Sequence, residues 1–414
     1  MPRQAKSELP ELPFALPLVD ETASPQELTR LRATRQPFVI RRALAHWALH
    51  RELDAAEAED TQLEWLRSSL GAARLHWTEG PWGRGITPDG VTAFGASHRE
   101  FSKREGSSAE FVAALRRRPT HSTYLKSVPL APGLLAKVGH VECLAGTHVD
   151  RVRMWIGSGG HVSNLHYDPF NNLLGVAAGI KRVVLFPLST LPDLYPTALD
   201  RGLGARPASW VVLRDWDRRR FPRFARALES GVQAIVGPGD ALWIPPYWWH
   251  HVESFGLNVM VNCWSFDVPL RTLAQLERAL IGAMRDIGEH PRAQRAGLVA
   301  SWFEAIAQRQ PYRLRQGKLS RWFALGARAF ARIVDPSIHS DWLANQRSLF
   351  EHWVAGINGD PIATTPGEYE RMIARLSPAW WPWFRTHCGE AASRWHERDH
   401  ARLLTNRISV FPRI

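Results

Sequence analysis

The stretch "SNLHYDPFNN", residues 163–172, holds a histidine and an aspartate two positions apart within apolar sequence. On a β-strand, His166 and Asp168 would point to the same face, because side chains alternate between the two faces. His250 follows the run "GDALWIPPYWW", which reads as a turn and then a strand. Two imidazoles and one carboxylate, with the remaining positions open, form the facial triad of non-haem iron(II) oxygenases. These residues therefore predict an iron site with open positions for a chelating cosubstrate and O₂.

Each half of this pattern is weak by itself. A histidine and an aspartate two residues apart arise by chance in many chains, and a surface strand explains them equally well. The adjacent histidines of "WWHH" are no more specific alone. Their combination across a strand-rich interval is what favours a metal site over a structural cluster of polar residues.

The elements that must position these residues change along the chain. Residues 1–120 mix strand-like and helix-like stretches, including "QPFVIRRAL", "DTQLEWLRSSLG" and "SSAEFVAALRRR". Residues 121–268 carry short β-branched or aromatic runs separated by Gly, Pro and Asp, without long helices between them, which favours an antiparallel sandwich or barrel. Residues 269–414 show apolar residues three or four apart, which predicts helices.

The interval 121–268 resembles the JmjC-type, cupin-fold oxygenases that depend on Fe(II), 2-oxoglutarate and O₂. The matching text is "HYDPFNNLLGVAAGIKRVVLFP", "GPGDALWIPPYWWHHVES" and "VMVNCWSF". The likeness is greatest to the protein-hydroxylase branch that includes asparaginyl hydroxylases. It implies a mainly β catalytic core, a double-stranded β-helix of jelly-roll or cupin type, with a mixed α/β N-terminal region. It also implies an α-helical C-terminal region that serves in dimerisation or substrate binding.

Residue by residue, the resemblance assigns the iron ligands to His166, Asp168 and His250, while His251 would face the other way on its strand. Lys181 matches the lysine that binds the distal carboxylate of 2-oxoglutarate, and strand alternation places Arg182 outward. A buried lysine without a carboxylate partner would be costly, so an inward Lys181 implies an anionic guest. Further matches to the cosubstrate pocket are Tyr124, Ser163, Asn172, Asn262 and Trp264, for which ordinary strand polarity or core packing is the alternative.

The resemblance also sets expectations for the substrate. It implies hydroxylation of a side chain of a peptide or protein, coupled to conversion of 2-oxoglutarate to succinate and CO₂. Pro169 and Phe170 stand where the asparaginyl hydroxylases have polar residues near the substrate, which leaves the substrate's identity open. Hydroxylation of RNA, such as a transfer-RNA base, or of a small molecule stays an alternative, as does a non-catalytic scaffold that assembles through the C-terminal helices as a homodimer.

The composition indicates which partners and which cellular compartment to expect. The net charge of +12 comes mostly from arginine, with clusters at residues 116–118 and 214–226 that would suit an acidic peptide or RNA. Three scattered cysteines fit a reducing, cytoplasmic setting better than a disulfide framework. No apolar run approaches the ~20 residues of a membrane span, and no signal peptide is evident, so we expect no membrane partner.

A second stretch of the sequence matches a metal-binding motif. The stretch "WHERDH" matches H-E-x-x-H through His396, Glu397 and His400, the pattern of zinc proteases. Its neighbours are mostly charged and no third ligand follows, so a solvated surface helix explains the same residues.

Overall fold

The structure is a computed structural model. It describes residues 12–265, apart from residues 13, 21–22, 73, 87–94, 97–99, 118–120, 141–143, 146, 148 and 197–207, together with isolated positions further along the chain. The predicted C-terminal helices and the H-E-x-x-H motif lie outside the described residues. Within the part described, no helix is long and apolar enough to cross a membrane.

Six helices are described, and local sequence signals explain where several of them begin and end. They are α1 Pro25–Ala33, α2 Ala48–Ala55, α3 Glu59–Leu70, α4 Ser108–Leu115, α5 Pro132–Leu135 and α6 Phe224–Glu229. Ser107 and Glu110 form a capping box at the start of α4. Gly71 ends α3 with a φ of 64°, a conformation that glycine adopts without strain. The helices predicted in "DTQLEWLRSSLG" and "SSAEFVAALRRR" are thus confirmed.

Fourteen strands are described in the same part of the chain. They are β1 Phe14–Ala15, β2 Leu18–Val19, β3 Phe38–Ile40, β4 Leu75–Pro81, β5 Gly85–Ile86, β6 Gly95–Ala96, β7 Ser102–Gly106, β8 His121–Pro129, β9 Val149–Gly157, β10 Val162–Tyr167, β11 Asn171–Phe186, β12 Val232–Val236, β13 Ala241–Ile244 and β14 Trp249–Ser265. Twelve of them join one sheet, whose main path is β2-β3-β13-β11-β14-β9-β8-β4-β7, with β1, β10 and β12 attached beside it. These strands all belong to one of two compact units of the chain. The fold is therefore mainly β.

Two long strands, β11 and β14, each change partners halfway along. The first part of β14 pairs with β10, and its last part pairs with β9. Strand β11 pairs first with β13 and then with β12, and its register with β14 shifts around Ala178. Gly179 lies at this shift with a φ of 78°, and a Cβ there would meet the carbonyl oxygen of Leu257 at 2.3 Å. In a double-stranded β-helix one continuous set of strands folds into two facing sheets, and the change of partners along β11 and β14 is consistent with that fold.

Alternation along the strands decides which side chains reach the interior. Met154 and Ile156 of β9 and Val259 and Val261 of β14 join an apolar core that packs on the helices. The helical members of this core include Leu49, Leu53, Leu63, Leu66 and Phe111. Because successive side chains point to opposite faces, Trp155 and Asn262 must face the other way, into the space between the sheets. The site is built on that inner face.

Candidate metal centre

The three predicted iron ligands meet at one point. His166 of β10 lies opposite His250 of β14 in the strand register, and their ring centroids are 4.4 Å apart. Asp168 follows β10, and its Oδ2 lies 3.9 Å from His250 Nε2. One ligand atom from each residue lies within 4.8 Å of the other two. Asp168 is 8% and His250 4% exposed, so the cluster is sheltered from solvent.

The backbone fixes which nitrogen of each histidine faces the cluster. Nδ1 of His166 lies 2.7 Å from the carbonyl oxygen of Asn164, and Nδ1 of His250 lies 2.9 Å from that of Trp248. A carbonyl only accepts, so each Nδ1 carries the proton and leaves the lone pair of Nε2 free. Burial, followed by the neighbouring His250, lowers the pKa of His166 to about 3. Both rings therefore present Nε2 to the cluster, the atom through which a histidine can bind a divalent metal.

Lys181 lies deep in the interior, as predicted from its place in the sequence. It is 1% exposed, and its Nζ donates to Ser254 Oγ at 2.8 Å across the β11–β14 pair. Burial lowers the pKa of Lys181 to about 7, because the ammonium group loses its hydration. Arg182 contacts Gln233 instead, at 2.9 Å, on the opposite face. An anion bound beside Lys181 would supply the missing charge.

Tyr124 and Ser163 lie beside an imidazole that the sequence reasoning missed. The ring of His161 stacks on that of Tyr124 with centroids 3.6 Å apart and an interplanar angle of 20°. Its Nε2 lies 3.4 Å from Ser163 Oγ. Burial, and then the charge of Lys181, lowers the pKa of His161 well below its usual value. His161 is two residues before Ser163, so strand alternation could have placed both on one face.

Burial raises the pKa of Tyr124, so its hydroxyl stays protonated and can donate a hydrogen bond. Ser254 was missed in the same way as His161. It lies four residues after His250 and therefore on the same strand face, which places its hydroxyl on Lys181. The polar groups of this pocket are thus two hydroxyls, a phenol, an imidazole and an amine.

The remaining predicted pocket residues form one wall. Asn262 Nδ2 donates to Asn172 Oδ1 at 2.6 Å, and the Trp264 ring lies 4.9 Å from that of Phe170. The register pairs Asn172 with Trp264, so these residues lie next to each other on β11 and β14. Within the described structure, Asn262 Oδ1 and Trp264 Nε1 are buried without a hydrogen-bond partner. These two atoms are therefore available to a molecule that binds against this wall.

His251 points away from the metal cluster, as predicted. Its Nε2 lies 3.2 Å from Glu253 Oε1, and Arg214 Nη2 donates to Glu253 Oε2 at 2.8 Å. Although burial alone would raise it, hydrogen bonds from His251 and Arg214 lower the pKa of Glu253 to about 2. The contacts of Glu253 with His251 and Arg214 therefore hold the segment around Arg214 against β14, on the strand face away from the metal cluster.

Several arginines of the two predicted clusters are engaged within the fold. Arg116 pairs with Asp60 at 3.1 Å, Arg117 pairs with Glu79, and Arg214 pairs with Glu253. In the second compact unit, Arg223 lies over the Tyr195 ring, 5.2 Å from its centroid. These four residues therefore each have a partner within their own part of the fold.

The comparisons with known proteins agree with this geometry. Residues 24–268 match the model of a cupin-like domain. "Lysine-specific demethylase JMJ31" of Arabidopsis thaliana is 38% identical over 113 residues, which is 27% of this chain and 20% of that protein. "Jumonji C domain-containing protein 5" of Drosophila melanogaster is 24% identical over 261 residues, 60% of this chain and 59% of that protein.

A human relative, "Bifunctional peptidase and (3S)-lysyl hydroxylase JMJD7", is 24% identical over 284 residues, 61% of this chain and 84% of that protein. The chain spans only 20% to 59% of the length of the Arabidopsis and Drosophila relatives. The match to the cupin-like model nevertheless covers more than half of the chain and includes the whole His-Asp-His cluster. This protein therefore belongs to the cupin-like domain family and carries a JmjC-type domain.

Proposed function

We propose that this protein is an Fe(II)- and 2-oxoglutarate-dependent oxygenase that hydroxylates a side chain of a peptide or protein. One observation carries the proposal: a sheltered cluster of two imidazoles and one carboxylate shares its interior with a buried lysine. The cluster fits a metal with open positions, and the lysine fits an anion held close to it. A structural cluster of polar residues would not need Lys181 in the same interior.

Each ligand has its role set by its surroundings. His166 and His250 would bind iron through Nε2, while their Nδ1–H groups are held by the carbonyl oxygens of Asn164 and Trp248. Asp168 would bring the negative charge that two neutral imidazoles lack. When bound there, Fe(II) with 2-oxoglutarate and O₂ supplies C–H oxidation coupled to release of succinate and CO₂.

The chain's own groups would hold 2-oxoglutarate. The ammonium of Lys181 and the hydroxyl of Ser254, already 2.8 Å apart, offer donors for the distal carboxylate. Tyr124 and Ser163 both contact His161, whose pKa is lowered by burial and then by the nearby charge of Lys181. The apolar residues of β11 and β14 around this pocket would exclude water from the bound carboxylate.

The names of the relatives support a protein substrate. They describe lysine-specific demethylases and a lysyl hydroxylase, and both activities oxidise a C–H bond of a protein residue. Demethylation is hydroxylation of an N-methyl group, so the same site could serve it, and we keep it as the second candidate. Hydroxylation of the side chain itself is the activity that the resemblance to the protein-hydroxylase branch favours.

Succinate formation from 2-oxoglutarate by the purified chain with Fe(II), ascorbate and O₂ tests the proposal. The Asp168→Ala variant, checked for folding by circular dichroism, should lose this turnover. Binding of 2-oxoglutarate with Mn(II) in place of Fe(II), followed by thermal shift, gives a readout that does not depend on turnover. A wild-type protein that neither turns over nor binds 2-oxoglutarate would exclude the oxygenase and direct attention to a scaffold role.

A further inference from the structure

One wall of the interior carries positive charge from β8 and β9. Trp155 of β9 faces inward, because its ring lies 5.7 Å from that of Tyr124 while Met154 and Ile156 belong to the core on the other face. Arg153, two residues before Trp155, shares its strand face. The register sets Arg153 beside Asn262 and Arg151 beside Trp264, both predicted residues of the cosubstrate wall. The guanidinium of Arg153 is therefore on the site's side of the sheet.

Lys126 adds a second charge on the neighbouring strand. It lies two residues after Tyr124, at a shift in the β8–β9 register, and its side chain is exposed. Tyr124 on the same strand stacks on His161, so Lys126 lies on the strand that borders the cosubstrate pocket. This exposed ammonium adds positive charge beside the wall that carries Tyr124 and Trp155.

Three donors on this wall have no partner in the described structure. Arg153 is half-buried and makes no hydrogen bond or ion pair there. The indole N–H groups of Trp155 and Trp264 are buried and unpaired. Trp264 is only 8% exposed. Buried N–H groups without acceptors are costly, so the two indoles beside Arg153 favour a ligand that brings acceptors.

Two buried carboxylates of the described structure that lie on β14 or beside β10 already have other partners. Asp168 belongs to the metal cluster, and Glu253 points away from the site toward Arg214 and His251. Neither neutralises Arg153. A lysine or arginine side chain that entered along this wall would meet like charges, which is unfavourable, whereas a carboxylate would meet a fork of N–H donors.

We infer that the substrate is an acidic peptide segment, with an aspartate or glutamate bound by Arg153 and Lys126 next to the residue that is hydroxylated. This inference rests on the proposed function and assigns its substrate class. It also separates this chain from relatives whose names specify lysine, since the wall described here repels an ammonium group.

The test uses three pools of synthetic peptides that differ only at the positions flanking a randomised residue. One pool carries Asp and Glu there, the second Asn and Gln, and the third Lys and Arg. Peptide-stimulated succinate release and a mass increase of one oxygen atom are measured with the full-length protein. We expect the acidic pool to exceed the amide pool by roughly 10- to 100-fold in kcat/KM, as expected for hydrogen bonds to a charged group.

Variants then test which residues cause the preference for acidic peptides. Arg153→Gln should remove most of the preference for the acidic pool, and Arg153→Glu should shift the preference toward the Lys and Arg pool. Lys126→Gln, at an exposed position that the fold tolerates, should reduce the preference in part. Arg30→Gln removes the same charge from the exposed surface of α1 and is the matched control, which should keep the full preference.

Several outcomes would overturn the inference while leaving the oxygenase intact. Turnover with equal use of the three pools, or a preference for the basic pool, would reject an acidic substrate. An increase in KM for 2-oxoglutarate in Arg153→Gln, with pool selectivity unchanged, would assign Arg153 to the cosubstrate. RNA that stimulates Arg153-dependent turnover better than any peptide pool would replace the peptide. Absence of all turnover that depends on Asp168 would instead reject the proposed function itself.

Discussion

Binding of 2-oxoglutarate should weaken steeply above neutral pH because of Lys181. Burial lowers the pKa of this lysine from 10.5 to about 7, a difference worth on the order of 5 kcal/mol. The bound carboxylate would stabilise the ammonium form, so binding takes up a proton whenever the free protein holds Lys181 neutral. Affinity is therefore greatest below the pKa of the free protein and is lost as pH rises through it.

The size of the effect follows from that pKa. About half of the free protein carries a charged Lys181 at pH 7, about a tenth at pH 8 and about a hundredth at pH 9. The affinity should accordingly fall by roughly 100-fold between pH 6 and pH 9, since 2-oxoglutarate remains fully ionised throughout. Near pH 8, each binding event should take up about 0.9 of a proton.

Titration calorimetry with Mn(II) in place of Fe(II) measures both quantities, using two buffers of different ionisation enthalpy at each pH. Lys181→Met is the matched variant: it should bind 2-oxoglutarate weakly and without this dependence on pH. An affinity for the wild-type protein that stays within about threefold from pH 7 to pH 9, without proton uptake, would refute the reasoning.

Three further predictions follow from the same geometry. His250→Ala should abolish the absorption bands of Co(II) bound at the site and reduce turnover by at least about 100-fold. His251→Asn, on the opposite strand face, should keep the Co(II) bands and the turnover. The reverse result would show that His251 is the ligand. His161→Ala should weaken 2-oxoglutarate binding by about three- to tenfold through the lost contact beside Tyr124 and Ser163, and unchanged calorimetric affinity would show that His161 only packs there. Glu253→Gln should lower the free energy of unfolding by about 2–4 kcal/mol at pH 7, measured by urea unfolding. Because the pKa of Glu253 is lower in the folded than in the unfolded protein, the greater stability of the wild type should be complete above pH 4.5 and disappear as pH falls toward 2. A stability difference that persists at pH 2 would contradict this prediction.

The metal cluster was predictable from the sequence because it depends on local geometry and on one long-range pairing. His166 and Asp168 lie on the same face because side chains alternate along a strand, and the sequence before His250 predicted the strand that supplies the third ligand. The structure confirmed that pairing, with His166 opposite His250. Helix α4 was predictable for the same reason, since the signals of its capping box lie within four residues of sequence.

The surroundings of the site depended on register between strands that are distant in sequence. The contact of Lys181 with Ser254 joins residues 73 positions apart, and nothing in the sequence near Lys181 specifies it. The stacking of His161 on Tyr124 likewise requires two separate strands to meet.

The charged residues also show what the sequence determines and what the tertiary structure decides. Composition established that the chain is basic, and two arginine clusters drew attention as candidate binding surfaces. The tertiary structure engaged Arg117 with Glu79 and Arg214 with Glu253, and it turned the less conspicuous Arg153 toward the site.

The sequence by itself thus determined which residues can bind iron and that a strand-rich fold holds them, because residue type and short-range periodicity are local properties. Only the tertiary structure decided which charges are neutralised and which lie on the same face of the sheet as the metal cluster. That outcome depends on which side chains the folded chain brings together, and pairing across the sheet is a property of the whole fold.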